Sequence, residues 1–198
     1  MKILNLYAGI GGNRKLWGNE HKITAIEINP DISVIYKNKF PNDKMIITDA
    51  HQYLLDHYKE YDFIWSSPPC QTHSITNYFL NAQGVIRYPK MELYQEIILL
   101  KTFYKGKYCI ENVKSYYQPL IKPQEIGRHY LWANFKIPKI KQPKIDIGRM
   151  NGKRQTASKK TQKERNAVNS QLGLHVLNCA NNIYKDNNII QTGLFNEN

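Results

Sequence analysis

Five short runs rich in Ile, Tyr, Phe and Val, at residues 2–7, 22–28, 44–48, 62–67 and 107–113, are separated by stretches long enough for a helix. Apolar and β-branched runs of this length read as strands, and 31–39, 50–59 and 89–104 supply candidate helices between them. Such an alternation predicts an α/β fold: a mostly parallel sheet covered by helices on both faces. Ligands of such sheets bind beyond the carboxyl ends of the strands, so the residues after each run carry the functional argument.

The rhythm stops after Ala133, where Pro138, Pro143, Gly148 and Gly152 interrupt a basic stretch. Residues 136–165 hold eight Lys and three Arg against Asp146 and Glu164, which is +9 of the chain's total of +12. Charge confined to one segment suggests a patch for a polyanion, since each cation near a phosphate releases condensed counterions. A solvated surface loop is the plainer reading of the same run. Helical periodicity returns from Ala167 to Ile183, with Val168, Leu172, Val176, Leu177 and Ala180 on one face. The expected organisation is a catalytic and cofactor-binding core over 1–135, a short basic irregular lobe over 136–165, a helix returning to the core over 166–184 and a polar tail over 185–198.

At 198 residues with 41% apolar content, the chain is one domain's worth of protein with a real core. No apolar run approaches the roughly 18 residues of a membrane span, so no membrane partner is expected. The amino-terminal apolar run ends in a glycine loop rather than a cleavage site, against a signal peptide. Three scattered cysteines, Cys70, Cys109 and Cys179, form neither a disulfide framework nor a zinc cage, which points to a reducing cytoplasm. His51, His57, His73 and His175 make no metal-ligand set, and no metal is expected. Trp17, Trp65 and Trp132 read as core or pocket wall, and Tyr78 and Phe79 as packing residues or substrate contacts.

The strand ends are chemically uneven. The first runs into Tyr7-Ala8-Gly9-Ile10-Gly11-Gly12, read as a turn that opens a helix, where backbone and helix amino end could approach an anionic group. A tight turn without a ligand fits equally well. The second ends at Glu27 and the third at Asp49, acids placed to accept from ribose hydroxyls or simply to face water. The fourth ends in Ser66-Ser67-Pro68-Pro69-Cys70-Gln71-Thr72-His73-Ser74, which holds a cysteine where a nucleophile would sit; Cys109, mid-strand, reads as structural. The fifth delivers Glu111-Asn112-Val113 to the same edge.

In this order, the motifs resemble those of the cytosine-C5 DNA methyltransferases, in a compact, bacterial or phage-like form. Asn5 to Gly12 is similar to the first cofactor motif, Pro69-Cys70-Gln71 with Ser74 to the catalytic loop, and Glu111-Asn112-Val113 to the Glu-Asn-Val motif. Gln124 and Arg128 match the Gln and second Arg of the family's Gln-x-Arg-x-Arg pattern, and Asn166-Ala167-Val168 resembles its Gly-Asn-Ala-Val motif.

The resemblance implies a Rossmann-like methyltransferase fold with S-adenosylmethionine as cofactor, S-adenosylhomocysteine as product and no metal. It implies transfer to carbon 5 of a flipped-out cytosine. Cys70 would attack carbon 6, Glu111 would bind the pyrimidine edge, and Arg128 would hold the carbonyl oxygen and support the thiolate. Tyr7, Gly9, Ile10, Gly12, Glu27, Ile28, Asp49, Ala50, Pro69, Leu93 and Asn166 would line the cofactor site. Double-stranded DNA is the implied partner, met by Gln71 and Ser74 and by Lys153, Arg154, Lys159, Lys160 and Lys163 of the basic segment, in a prokaryotic or phage-infected cell. Restriction protection, phage DNA modification and epigenetic marking share this chemistry.

Three positions and one region depart from the family pattern. Asn5 stands where an Asp is usual, Ile126 replaces an Arg, and Arg165 replaces a Gly. The long target-recognition region is cut to about 30 basic residues, so a short site, or recognition supplied by a partner chain, is expected. Two other classes share some features. Ser67-Pro68-Pro69-Cys70 matches three of four positions of the amino-methyltransferase loop, and a methyltransferase-like subunit without activity would need only the binding surfaces. Methylation of cytosine in RNA fits the same residues.

Overall fold

The computed structural model describes residues 1–140 and 167–183. Its centre is a seven-stranded sheet built from β1 (Lys2–Leu6), β2 (Lys22–Glu27), β3 (Lys44–Ile47), β4 (Phe63–Ser66), β5 (Lys107–Val113), β6 (Gln124–Ile126) and β7 (His129–Ala133). The order across the sheet is β3-β2-β1-β4-β5-β7-β6. The first five strands run parallel, and β7 enters antiparallel to both β5 and β6. This is the mostly parallel sheet that the spacing of apolar runs predicts, and the Rossmann-like methyltransferase fold that the resemblance implies.

Alternation along the strands sorts the core into two layers. Ile3, Ile23, Phe63, Trp65, Cys109 and Leu131 face helix α5 (Ser170–Ala180) through Leu172, Val176 and Leu177. Leu4, Leu6, Ile26, Ile64, Tyr108 and Ile110 face α2 (Ala50–His57) and α4 (Glu92–Phe103) through Leu54, Leu93, Ile97 and Leu100. Helix α1 (Pro30–Lys39) packs Tyr36 against Ala8 and Ala25 on the α5 side. All four residues of β4 are buried, as expected of a central strand covered on both faces. Trp17, Trp65 and Trp132 all lie in the core.

Helix starts follow local chemistry. Asn29 caps α1 by accepting from Asp31 and Ile32 N–H, with Pro30 at the first position, and Asn169 caps α5 by accepting from Gln171 and Leu172 N–H. The return helix is thus shorter than its apolar periodicity, 170–180 rather than 167–183. Helix α3 (Asn77–Ala82) has no counterpart among the runs read from sequence, because its Tyr78 and Phe79 are exposed and give no amphipathic signal.

The first glycine motif corrects an expectation. No helix follows it: Asn13–Leu16 form a single 3₁₀ turn, which Gly18 at φ +79° ends. A turn this short lacks the aligned peptide dipoles of an α-helix, so the expected anion-binding helix end is absent there. Instead the turn docks on α5, where Gly173 lies directly against the Asn13 backbone. Beyond β7, Ile137 is buried and donates its backbone N–H to Gln124 Oε1 at 2.8 Å, so the start of the basic segment at 136–140 packs on the core. Among the described residues no helix is long and apolar enough to cross a membrane, and no group of three or more His, Cys, Asp or Glu could hold a metal ion.

Candidate active site

The sheet order reverses between β1 and β4, and the unusual loops all leave this carboxyl edge. The loop after β1 is strained at Tyr7, φ +53°, beside Gly9 at φ +55° and Gly11 at φ +77°. Positive φ is costly for a tyrosine, and the surrounding contacts hold it there. Its hydroxyl donates to Glu96 Oε1 at 2.7 Å. Glu96 is fully buried in α4 and also accepts from Ser66 Oγ at 2.6 Å, while His51 Nδ1 lies 3.3 Å from Oε1. Burial and the neighbouring Glu96 charge push the Tyr7 hydroxyl far above its ordinary range, so it stays a donor.

Glu27, at the end of β2, accepts from Gly9 N–H through Oε2 and from Asn29 N–H through Oε1, each at 3.0 Å. That ties the second strand end to the glycine loop. Asp49 does not end β3, which stops at Ile47; it caps α2 by accepting from Gln52 N–H at 2.8 Å. Ile28 is exposed beside Glu27, Ile10 and Gly12 are half-buried in the glycine loop, and Ala50 and Leu93 are buried below. Gly12 has no room for a side chain, since a Cβ would strike the Val168 carbonyl. This brings Ala167-Val168 against the glycine loop, while Asn166 lies outside the described residues. Asn5 is fully buried and accepts from Asn13 Nδ2 at 2.8 Å, so its amide oxygen supplies the acceptor that an Asp would offer.

The loop after β4 turns sharply at Cys70, whose carbonyl accepts from the N–H groups of His73 and Ser74. Pro68 is buried and Pro69 exposed; Gln71 is exposed, and Ser74 bridges to Ser115 beyond β5. Asn112 Nδ2 donates to the Pro68 carbonyl at 3.0 Å, which fastens the cysteine loop to β5. Cys70 is half-buried, whereas Cys109 and Cys179 are buried. Burial pushes the Cys70 thiol up, and the Glu111 charge adds to that, while its own backbone and Arg128 pull it down. The Asn112–Pro68 hydrogen bond, the Val113–His129 register and the bond from Lys114 N–H to the Arg128 carbonyl bring Cys70, Glu111 and Arg128 to one edge of the sheet.

Arg128 occupies the two-residue loop between β6 and β7, with Gly127 at φ +59° in front of it. Positive φ at the first loop position alone is the pattern of a type II′ hairpin turn, which glycine favours. Glu111 and His129 are 5% and 2% exposed, and Glu111 Oε1 lies 2.6 Å from His129 Nδ1. Arg128 Nε donates to His129 Nε2 at 3.4 Å. Ile126, where the resemblance leads to an Arg, is packed in the core against the α5 layer.

Sequence reasoning placed Cys70, Glu111 and Arg128 at the edge where the structure has them and passed over His129, Glu96 and the buried pair Arg14–Asp43. Arg14 binds Asp43 through Nε at 2.9 Å and Nη2 at 3.1 Å below the glycine loop. A signal existed for Glu96, an acid before the apolar run Ile97-Ile98-Leu99-Leu100. Lys153, Arg154, Lys159, Lys160, Lys163 and Arg165 lie outside the described residues.

Residues 1–122 match the sequence model of the C-5 cytosine-specific DNA methylase family. The tRNA (cytosine(38)-C(5))-methyltransferase of Homo sapiens is 27% identical over 133 residues, covering 59% of this chain and 31% of that protein. The protein of the same name from Spodoptera frugiperda is 31% identical over 86 residues, covering 40% of this chain and 26% of that one. A solved structure of Spodoptera frugiperda DNMT2 is 30% identical, covers 58% of this chain and 36% of that one, and has a TM-score of 0.40. The chain thus spans about a third of the length of the curated relatives it matches. With the matched segment running from the glycine loop through the cysteine loop to Glu111-Asn112-Val113 and covering more than half of the sequence, the chain belongs to the C-5 cytosine-specific DNA methylase family.

Proposed function

We propose that this chain transfers a methyl group from S-adenosylmethionine to carbon 5 of a cytosine in a nucleic acid, through a covalent adduct with Cys70. The observation that carries it is the placement of Cys70, Glu111 and Arg128 at one sheet edge, in a chain that belongs to the C-5 cytosine-specific DNA methylase family. Carbon 5 of cytosine is unreactive until a nucleophile adds to carbon 6, which is why a thiol is needed at all. An amine-directed reaction has no use for Cys70 or Glu111, and family membership disfavours it.

The residues around the glycine loop fit the cofactor. Open space surrounds Gly9, so its backbone is approachable, and each Glu27 oxygen takes one N–H and keeps a lone pair for a ribose hydroxyl. Bound S-adenosylmethionine supplies the methyl group and departs as S-adenosylhomocysteine. The Cys70 thiolate forms the bond to carbon 6, and Arg128 offsets its charge before attack. Glu111 binds the N3 and amine edge of the pyrimidine as electron density moves into the ring. After transfer, loss of the carbon 5 proton to solvent and cleavage of the sulfur–carbon bond release Cys70.

Duplex DNA is our first reading of the substrate, with Gln71, Ser74 and the lysines and arginines of 153–163 as its contacts and a prokaryotic or phage setting. Under that reading, the short basic segment reads a short site or relies on a partner chain. A second reading is favoured by the tRNA-directed names of the curated relatives. Labelled S-adenosylmethionine offered with duplex DNA or with tRNA, followed by digestion to nucleosides, separates them. We expect 5-methyldeoxycytidine from DNA and none from Cys70→Ser. 5-Methylcytidine from tRNA alone would move the substrate to RNA, and label on an exocyclic amine would overturn the cysteine mechanism.

A further inference from the structure

The pairing register puts an unexpected side chain beside Glu111. In the β5–β7 ladder Glu111 stands opposite Leu131 and Val113 opposite His129, so Glu111 and His129 are diagonal neighbours on one face. Both are nearly inaccessible to solvent, and their 2.6 Å contact joins the carboxylate to the imidazole Nδ1. On its other side the ring meets Arg128 Nε at 3.4 Å.

The tautomer follows from donor arithmetic. A guanidinium only donates, so His129 Nε2 must be the acceptor and Nδ1 must carry the ring proton. That proton points at Glu111 Oε1, and Oε2 has no protein hydrogen-bond partner among the described residues. In this state the imidazole is neutral, Glu111 Oε2 is left for the pyrimidine edge, and the guanidinium is held by its Nε, its two terminal nitrogens making no hydrogen bond to protein among the described residues.

Resting on the proposed methyl transfer, we propose that His129 is a positioning residue for the reaction. As a neutral Nδ1–H imidazole it ties Glu111 to Arg128 and so fixes both groups that flank Cys70 and the target base. A second proton on Nε2 would set two donors face to face and release Arg128. The groups facing the ring are Glu111 from β5, Arg128 from the hairpin turn and, through these two, Cys70 from the β4 loop. Cys109 lies deeper on the same face of β5, its thiol held neutral by burial, and the nearby Lys114–Glu125 pair is matched at 2.9 Å.

The test compares His129→Ala and His129→Asn with the wild type in kcat and KM. An Asn amide can present its N–H near the position of Nδ1. We expect His129→Ala to lower kcat by about 10²-fold, the scale of a misplaced catalytic group, with little change in KM for nucleic acid. His129→Asn should recover most of that loss. Wild-type kcat in a folded His129→Ala protein, or no recovery in a folded His129→Asn protein, overturns the proposal. If the Ala variant does not fold, the ring tautomer decides. The tautomer is read independently of activity in the ¹⁵N spectrum of histidine-labelled wild-type protein. An Nε2–H ring at His129 overturns the proposal even in an active enzyme. Wild-type protein with the Nδ1–H ring but no methyl transfer would instead count against the functional reading.

Discussion

The side-chain amide of Asn112 reaches across from β5 to the backbone carbonyl of Pro68, 3.0 Å away and shielded from solvent. Its oxygen meanwhile accepts from the Val113 N–H at 3.0 Å, which fixes which end of the amide faces the proline loop. Asn112→Asp places an acceptor against a carbonyl and strands a buried acceptor, a cost of about 1–3 kcal/mol. Because the other end of that loop is Cys70, the expected result is a large fall in methyl-transfer rate with cofactor affinity preserved. Equilibrium binding of S-adenosylhomocysteine and single-turnover kinetics on the same preparation test it, and a wild-type rate in Asn112→Asp would refute the anchoring role.

Thiol chemistry gives a second prediction. Burial and the Glu111 charge raise the Cys70 thiol while Arg128 lowers it. Glu111→Gln should therefore lower the thiol's titration point, and Arg128→Gln should raise it. Each unit of lowering gives about tenfold more thiolate and costs only about threefold in intrinsic nucleophilicity, so population wins. Alkylation at fixed, mildly alkaline pH should quicken in Glu111→Gln and slow in Arg128→Gln, although both variants lose methyl transfer. Cys109 and Cys179 add little background, being buried, with Cys179 pushed up to about 11. In the wild type the transfer rate should climb on going alkaline from neutral pH; equal alkylation rates in all three proteins would contradict this account.

His51 supplies a stability signature. Its hydrogen bond to Glu96 raises it above the ordinary histidine value of 6.5, with burial opposing. A group raised in the folded state contributes stability that is complete below its unfolded value and is lost as pH rises through the folded one. The thermal midpoint of the wild type should accordingly fall between about pH 6 and pH 8 by more than that of His51→Gln, which lacks the titrating ring. Parallel curves for the two proteins would show that the His51–Glu96 contact carries no linkage.

The parts of this architecture that sequence reveals are those that repeat locally. Strands such as β4 and β5 announce themselves by consecutive apolar residues, Phe63-Ile64-Trp65 and Tyr108-Cys109-Ile110, and Asn29 and Pro30 mark the start of α1. Cys70, Glu111 and Arg128 stand out because they lie close to the ends of such elements. Relationships set by register do not. His129 meets Glu111 only because β7 runs antiparallel beside β5, and Tyr7 meets Glu96 over 89 residues of chain. The glycine motif misled for a related reason: its glycines promise a turn but leave the next element open, and contact with α5 allows only a 3₁₀ turn.

That contact is itself open to test at Gly173. A Cβ there would overlap the Asn13 carbonyl oxygen and fall within 2.8 Å of the adjoining backbone carbon, both fixed main-chain atoms that cannot swing aside. In an exposed helix, replacing Gly by Ala gains about 1 kcal/mol of helix propensity. Here overpacking, at about 1–3 kcal/mol, opposes that gain and exceeds it because the obstacle is backbone. Gly173→Ala should lower the unfolding midpoint. It should also weaken cofactor binding, since Asn13 holds Asn5 at the base of the glycine loop through a 2.8 Å hydrogen bond. Denaturant unfolding and S-adenosylhomocysteine titration measure the two effects separately. A variant more stable than wild type would mean that α5 slides away from the turn freely, and the glycine loop would then owe its shape to Glu27 and Glu96 alone.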